Sequence, residues 1–292
     1  MGEPANDPSA SVTDQLNIDR LQRSLRTHSF GKTLRYLPTT ASTNADALAY
    51  LQQHTEPASL NGMAILAECQ TAGRGRRGRA WYSPPHGNIY TSVIVVPASG
   101  GNRPGPWLSW VPLFSALAVA ECLSSHTGLA VSVKWPNDLL IGERKLGGIL
   151  CEQTSTPGKT MAIIIGIGLN INATLDSFPD ELRAGATSLA TEGNRSFDRM
   201  AILADLYFRL EQRVDRLLVD GPTEMIDAFT QRCSTLGHRV RVTLEEQGVV
   251  QGIAESIGPD GCLCLRVVPD TGAVPDGSLL EIRSGEVVHV RR

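Results

Sequence analysis

Residues 63–96 read MAILAECQTAGRGRRGRAWYSPPHGNIYTSVIVV. Two runs dense in β-forming residues, 63–69 and 88–96, bracket a segment with no strand or helix periodicity, which predicts two core strands joined through a loop. Inside that loop, Gly73 to Arg79 holds four arginines and three glycines in seven positions. Glycine lets a backbone approach an anion closely. Arginine adds a planar, permanently charged fork that matches phosphate and carboxylate. Four clustered like charges repel one another, so an anion that relieves the repulsion is the expected client. A merely solvated basic loop is the plain alternative. Nucleic-acid-binding RGG tracts are long and repetitive, whereas this is a single turn followed at once by Trp81 and Tyr82.

Outward from this stretch the chain alternates helical and strand patterns. Ile18, Leu21 and Leu25 fall at helical spacing after a polar, proline-bearing segment, 1–15, that is expected to be disordered. A strand over 34–37 precedes Ser42-Thr43-Asn44, capping residue types in front of a helix over 45–53. Residues 97–106 read as a loop. The run 107–125 is apolar on nearly every face and predicts a buried helix ending near Gly128. Further strands are expected over 131–134, 146–152 and 161–169, with a hairpin connection over 153–160. The clearest helix is 197–218, with Ile202, Leu203, Leu206, Leu210, Val214 and Leu217 on one stripe, Ser196 as its cap, and Pro222 opening a second helix to Cys233. From Gly237 short strands near 239–244, 248–257, 261–268 and 278–290 imply a small barrel-like β domain. The fold class is therefore α/β (α+β), divided as an N-terminal extension 1–30, a main domain 31–234 and a small domain 235–292.

The chain has 292 residues, 41% hydrophobic and 20% charged, with a formal net charge of −3. That balance supports a real core and speaks against a DNA-coating protein. None of the six cysteines forms a C-x-x-C pair or has a histidine at zinc spacing, so buried thiols are expected rather than a metal or redox site. The N-terminus lacks a basic and an apolar signal region, and Asn6 stands where a myristoylation signal wants Ser or Thr. The most apolar stretch, 108–123, is interrupted by Ser109, Ser115 and Glu121 and reads as too short to span a bilayer. A cytoplasmic protein is the expectation.

Other segments add chemistry. Lys134-Trp135-Pro136-Asn137-Asp138 puts a lysine at a strand end against a rigid turn. Lys145-Leu146-Gly147-Gly148 is a second basic-plus-glycine element. Gly166-Ile167-Gly168-Leu169-Asn170 follows a buried strand, but it lacks the third glycine and the following helix of a dinucleotide fingerprint.

Taken together, Ser42-Thr43-Asn44, the run Gln70 to Arg79, KWPND at 134–138, KLGGIL at 145–150 and GIGLNIN at 166–172 resemble the biotin protein ligases in order and spacing across roughly residues 38–190. The resemblance implies a class II aminoacyl-tRNA synthetase-like catalytic domain followed by an SH3-like β-barrel. It implies a reaction in which biotin and ATP, with Mg²⁺, give biotinyl-5′-AMP and pyrophosphate. The biotinyl group then passes to one lysine of a biotin carboxyl carrier protein. By resemblance Lys134 and Arg76 are the catalytic residues. Biotin is met by Ser42, Thr43, Asn44, Gln70, Gly73, Arg74, Gly75, Arg76, Lys134 and Gly166. The nucleotide is met by Arg76, Arg79, Trp81, Asn137, Lys145, Asn170 and Arg283. The polar set at 42–44 and 70 suits the N–H and carbonyl groups of biotin's ureido ring.

The short segment before the catalytic pattern implies a ligase without the winged-helix repressor domain some relatives carry, acting as monomer or homodimer. Gly147 stands where alanine is common in the family, a change expected to be harmless. Three rivals are a lipoate or octanoate ligase, a nucleic-acid-binding module and an inactive interaction protein. The GRGRRGR run with Gln70 and 42–44 disfavours the first, the acidic balance the second, and the presence of both Arg76 and Lys134 the third.

Overall fold

A computed structural model describes residues 16–97, 106–154, 161–244, 248–268 and 277–290. The expected disorder of 1–15, most of the loop 97–106 and most of the connection 153–160 lie outside these residues.

Seven strands form the main sheet, in the order β1-β2-β3-β7-β6-β5-β4. They are β1 (Leu34–Thr40), β2 (Ala64–Gln70), β3 (Ile89–Val95), β4 (Val131–Lys134), β5 (Asp138–Ile141), β6 (Arg144–Thr154) and β7 (Ala162–Leu169). Only β1 and β2 pair in parallel; every other neighbour is antiparallel. The two strands expected around the Gly/Arg loop are adjacent, with Ala64 opposite Val93 and Ala67 opposite Tyr90. β3 and β7 lie at the centre of the sheet and are almost wholly buried, which is why they read as continuous apolar runs without alternation. β5 was not expected. It is four residues long and starts inside the KWPND turn, too short to show a period of two.

The helices are α1 (Ile18–Ser24), α2 (Thr43–Gln53), α3 (Val111–Thr127), the short α4 (Asp180–Arg183) and α5 (Leu189–Gly193), α6 (Arg199–Asp220) and α7 (Thr223–Arg232). α3 and α6 pack against one another, and α6 buries the whole stripe read from the sequence. Asp198, not Ser196, caps α6, accepting from the Met200 and Ala201 amides at 3.0 and 3.2 Å. Its carboxylate stands at the position that reaches the second and third amides of the helix. Pro222 sits one residue ahead of α7. Gly128 closes α3 in the left-handed conformation (φ 74°). By length and composition alone, Leu108–Thr127 is apolar enough to cross a membrane, contrary to the sequence expectation, but 67% of it is buried inside the fold. Four cysteines are buried, Cys69 and Cys151 are half-buried, and all six are free thiols.

The second sheet has the order β11-β10-β9-β8-β12 and is antiparallel throughout. Its strands are β8 (Arg239–Leu244), β9 (Gly248–Ile257), β10 (Leu263–Val267), β11 (Leu279–Ile282) and β12 (Glu286–His289). The stretch 278–290, expected as one strand, breaks at Ser284-Gly285 into two strands on opposite edges of the sheet. Two buried tryptophans tie this sheet to the first. Trp110 Nε1 donates to the Pro259 carbonyl at 2.7 Å, and Trp135 Nε1 to the Gly261 carbonyl at 3.0 Å. The turn between β9 and β10 is thus held by residues of the larger, seven-stranded part of the fold.

Candidate active site

The Gly/Arg loop closes on itself. Gly75 N–H donates to the Arg79 carbonyl at 2.7 Å and Trp81 N–H to the Gly73 carbonyl at 2.9 Å. Arg77 (φ 57°) and Gly78 (φ 71°) turn the chain through the left-handed region. Each arginine then reaches a different strand or turn. Arg74 pairs with Glu152 of β6 at 3.0 Å, Arg76 donates to Asn137 Oδ1 at 3.4 Å, Arg77 to the Thr243 carbonyl of β8 at 3.3 Å, and Arg79 pairs with Glu286 of β12. The expected repulsion is therefore relieved in part by the protein's own carboxylates. The arginines hold Glu286 below the usual carboxylate range, chiefly through the bond from Arg79.

Under the loop lies a cavity of about 200 Å³. Its lining contains Ser42, Thr43, Asn44 and Gln70 at one end, Arg74, Gly75, Arg76 and Arg79 from the loop, and Trp81, Lys134, Asn137, Lys145 and Gly166 along the rest. Residues far apart in sequence thus meet in one place.

The polar end is built by a helix start. α2 begins at Thr43, two residues earlier than expected, because Gln70 does the capping: its Oε1 accepts from the Thr43 amide at 2.9 Å. Gln70 Nε2 in turn donates to Ser83 Oγ at 2.9 Å. Asn44 is buried, its Oδ1 accepting from Ser92 Oγ at 2.6 Å and its Nδ2 donating to Glu152 at 2.7 Å. Ser92 Oγ also lies within hydrogen-bond distance of Thr43 Oγ1, at 2.7 Å. A Cβ at Gly166 would strike the Asn44 carboxamide, and one at Gly168 would come within 2.5 Å of Trp81 Nε1, so glycine at both is a packing requirement of β7.

The cationic end is set by the turn after β4. The Trp135–Pro136 bond is cis. Burial pushes the Lys134 ammonium below the ordinary lysine value, Asp138 pulls it partly back and Lys145 opposes it. Lys145 pairs with Asp138 at 2.6 Å and lies 5.4 Å above the Trp81 ring. Trp81 Nε1 is buried and has no hydrogen-bond partner among the described residues, a donor aimed at the cavity wall.

Three residues named from the sequence stand outside the lining. Gly73 lies behind it, against the Trp81 carbonyl and Ser83. Asn170 is buried at the end of β7, where Nδ2 donates to the Thr187 carbonyl at 3.0 Å. Arg283 is exposed on the loop between β11 and β12, with its guanidinium on Asp260 at 2.7 Å and Glu281 at 2.8 Å. At Gly147 an added Cβ would come within 2.8 Å of the Gly168 carbonyl oxygen, so the β6–β7 packing of this chain takes glycine there. Sequence reasoning missed Glu152, Ser92, Ser83, Asp138 and Glu286. Two of them carried a signal: Asp138 stands inside the KWPND motif, and Ser92 is a polar residue inside an apolar strand.

Away from the cavity, Cys122, His126 and Asp205 lie close enough to share a metal ion. Asp205, however, is already engaged by Arg209 at 2.7 Å and Arg26 at 2.9 Å, and burial first, with Asp205 second, pushes the Cys122 thiol up. The cluster is a packed polar contact of α3 with α6.

The family model described as Biotin/lipoate A/B protein ligase family matches residues 36–170. The chain is 35% identical over 294 residues to a biotin--[acetyl-CoA-carboxylase] ligase of Mycobacterium tuberculosis, covering 95% of this chain and 98% of that one. It is 31% identical over 253 residues to the bifunctional ligase/repressor BirA of Bacillus subtilis, covering 86% and 75%. Among solved structures, the biotin protein ligase from Aquifex aeolicus in complex with biotin and ATP matches with a TM-score of 0.72 at 28% identity, covering 89% of this chain and all of that one. With 35% identity to a named ligase over nearly its full length and one cavity lined by every site residue named from the sequence except Gly73, Asn170 and Arg283, the chain belongs to the biotin protein ligase family.

Proposed function

We propose that the chain activates biotin with ATP as biotinyl-5′-AMP and transfers the biotinyl group to one lysine of a biotin carboxyl carrier protein. The observation that carries this reading is the juxtaposition of a neutral polar end, Thr43, Asn44 and Gln70, with a cationic end, Arg76, Arg79, Lys134 and Lys145, in one cavity. A ureido bicycle with an anionic tail needs both. The biotin carboxylate attacks the α-phosphorus and pyrophosphate leaves. The carrier's ε-amine then attacks the acyl carbon, AMP leaves, and the new C–N bond is an amide.

In this reading Lys134 neutralises the charge that gathers where carboxylate and α-phosphate meet, and its burial strengthens that interaction. Arg76 spans the same junction. Arg79 and Lys145 meet the phosphates, Trp81 offers its face to the base, and Asn137 holds Arg76 in place. Asn170 acts from behind as a support of β7. Arg283 reaches the nucleotide only if it leaves Asp260 and Glu281. The carboxylates lining the cavity are Asp138 and Glu286, paired with Lys145 and Arg79. So few free oxygen donors would suit a Mg²⁺ that comes with the ATP phosphates and keeps much of its water, with Asp138 as the carboxylate that would hold it. Bound there, the ion would neutralise the leaving pyrophosphate.

The finer fold assignment is part of the proposal: residues 31–234 as a class II aminoacyl-tRNA synthetase-like domain, 235–292 as an SH3-like barrel, and 1–30 as an extension. So are a cytoplasmic setting, a monomer or homodimer, and action without DNA, the last supported by the net charge of −3 and by arginines turned into the cavity. Incubation with ATP, Mg²⁺, biotin and an apo carrier domain should raise the carrier's mass by one biotinyl group. A gain with lipoate or octanoate instead would favour the rival ligase.

A further inference from the structure

Period-two alternation along β6 puts residues 148, 150 and 152 on one face. Gly148, Ile149 and Leu150 line the cavity, and Glu152, two residues on from Leu150 along the same face, is not part of the lining. One oxygen of Glu152, Oε2, accepts from Asn44 Nδ2 at 2.7 Å and from Arg74 at 3.0 Å. Asn44 is fixed on its other side by Ser92, which also holds Thr43, and Thr43 is held by Gln70. A continuous chain of hydrogen bonds therefore runs from the Gly/Arg loop through Glu152 into the whole polar end of the cavity. Asn137, Thr243 and Glu286, the partners of Arg76, Arg77 and Arg79, hold the loop from other strands.

We propose that Glu152 is a positioning residue that couples occupancy of the ureido end to closure of the Gly/Arg loop, so that biotin binding and loop order reinforce one another. This rests on the assignment of Asn44 to the ureido ring. Its physical basis is the shared acceptor: an Asn44 amide held still by ligand holds the carboxylate still, and the carboxylate holds Arg74. Linkage makes the effect mutual, with the loop raising biotin affinity by the factor by which biotin orders the loop. A closed loop shields the acyl-phosphate from water, so losing the coupling releases adenylate.

Two substitutions separate the ends of this bridge. Glu152→Gln keeps an oxygen for Asn44 but loses the charge facing Arg74; Glu152→Ala loses both. Both partners of the ion pair are partly exposed, so its effect is moderate. Glu152→Gln is expected to raise both the biotin KM and the ratio of free to transferred biotinyl-AMP about threefold, and Glu152→Ala, which also frees Asn44, to raise both about tenfold. Added to Arg74→Gln, Glu152→Gln should cause no further leak. Additive effects, or a folded Glu152→Ala with wild-type KM and leak, would overturn the proposal. Tryptic cleavage within 74–79, measured without any ligand, supplies a readout independent of activity: both Glu152 variants should be cut faster than wild type, and equal rates would sink the coupling. If wild type itself makes no biotinyl-AMP, the functional reading fails, while the cleavage comparison still decides whether Glu152 holds the loop.

Discussion

Gly166→Ala tests the polar end of the cavity with a single methyl group. Gly166 lies within β7 and its φ is not in the left-handed region, so alanine is acceptable to the backbone. The obstacle is Asn44, whose carboxamide occupies the place a Cβ would take. Asn44 cannot give way freely: it is 4% exposed and held by Ser92 at 2.6 Å and Glu152 at 2.7 Å. Displacing it breaks one neutral hydrogen bond, about 1 kcal/mol, and one to a carboxylate, about 1.5–3 kcal/mol. Forcing a methyl into a packed site costs a comparable 1–3 kcal/mol or so. If about 2 kcal/mol of this falls on ligand binding, the biotin KM rises about 30-fold, since about 1.4 kcal/mol is a factor of ten. The rest lowers Tm by a few degrees. The ATP KM should change much less, because Asn44 bonds to Ser92, Leu150 and Glu152 and to none of Arg76, Arg79, Lys134 or Lys145. Biotin titration calorimetry and thermal melting read both effects, with Gly185→Ala, where a Cβ meets nothing within 4 Å, as control. A Gly166→Ala enzyme with normal biotin affinity and Tm would refute the packing argument.

Three further expectations follow from the same geometry. Arg76→Gly should release biotinyl-AMP faster than it is transferred, seen as a higher ratio of free to carrier-bound biotin under trapping; an unchanged ratio would count against a shielding role. The Lys134 ammonium is held below the ordinary lysine value, so its cation is lost as pH rises through that lowered value. The kcat/KM for ATP should therefore fall on the alkaline side before an ordinary lysine titrates, and Lys134→Arg should abolish that limb while reducing rate; a limb that persists in the arginine variant argues for another group. Glu211, on α6, accepts from the amides of His28, Ser29 and Phe30 at 2.7–2.9 Å. Burial pushes its carboxyl up, but these donors reverse the effect and hold it below the usual range. Its contribution is complete above the unfolded value of about 4.3 and is lost as pH falls through the lower folded value. Glu211→Gln should cost about 2–4 kcal/mol at neutral pH and flatten the acid decline of Tm; an unaltered decline would show that the acid sensitivity lies elsewhere.

Much of the fold was legible because its period was local. The stripe from Ile202 to Leu217 needs only α6 itself, and the apolar runs of β2, β3 and β7 announce strands buried on both faces. What the sequence hid was settled by distant partners. Gln70 caps α2 from another strand and moves its start to Thr43. Asp198 displaces Ser196 because its carboxylate, not merely its residue type, reaches the first amides. The break at Ser284-Gly285 separates two strands whose partners, β10 and β8, lie elsewhere in the chain. The site follows the same division. Residues inside motifs, Arg74, Lys134 and Gly166, were readable, and the cavity collects them. Glu152 and Glu286 belong to no motif, and their meaning is the arginine each one meets across more than seventy positions. The opening inference that the arginines await an anion is thereby narrowed: Arg74 and Arg79 already have one, and a ligand must join or replace it.

The central claim is that a biotin carboxylate oxygen attacks the α-phosphorus in this cavity and leaves with AMP. Biotin labelled with ¹⁸O in both carboxylate oxygens, turned over with ATP and an apo carrier domain, tests it directly. The account expects one ¹⁸O in the phosphate of AMP, one in the new amide and none in pyrophosphate. Label in pyrophosphate or orthophosphate, or AMP without label despite a biotinylated carrier, would contradict it.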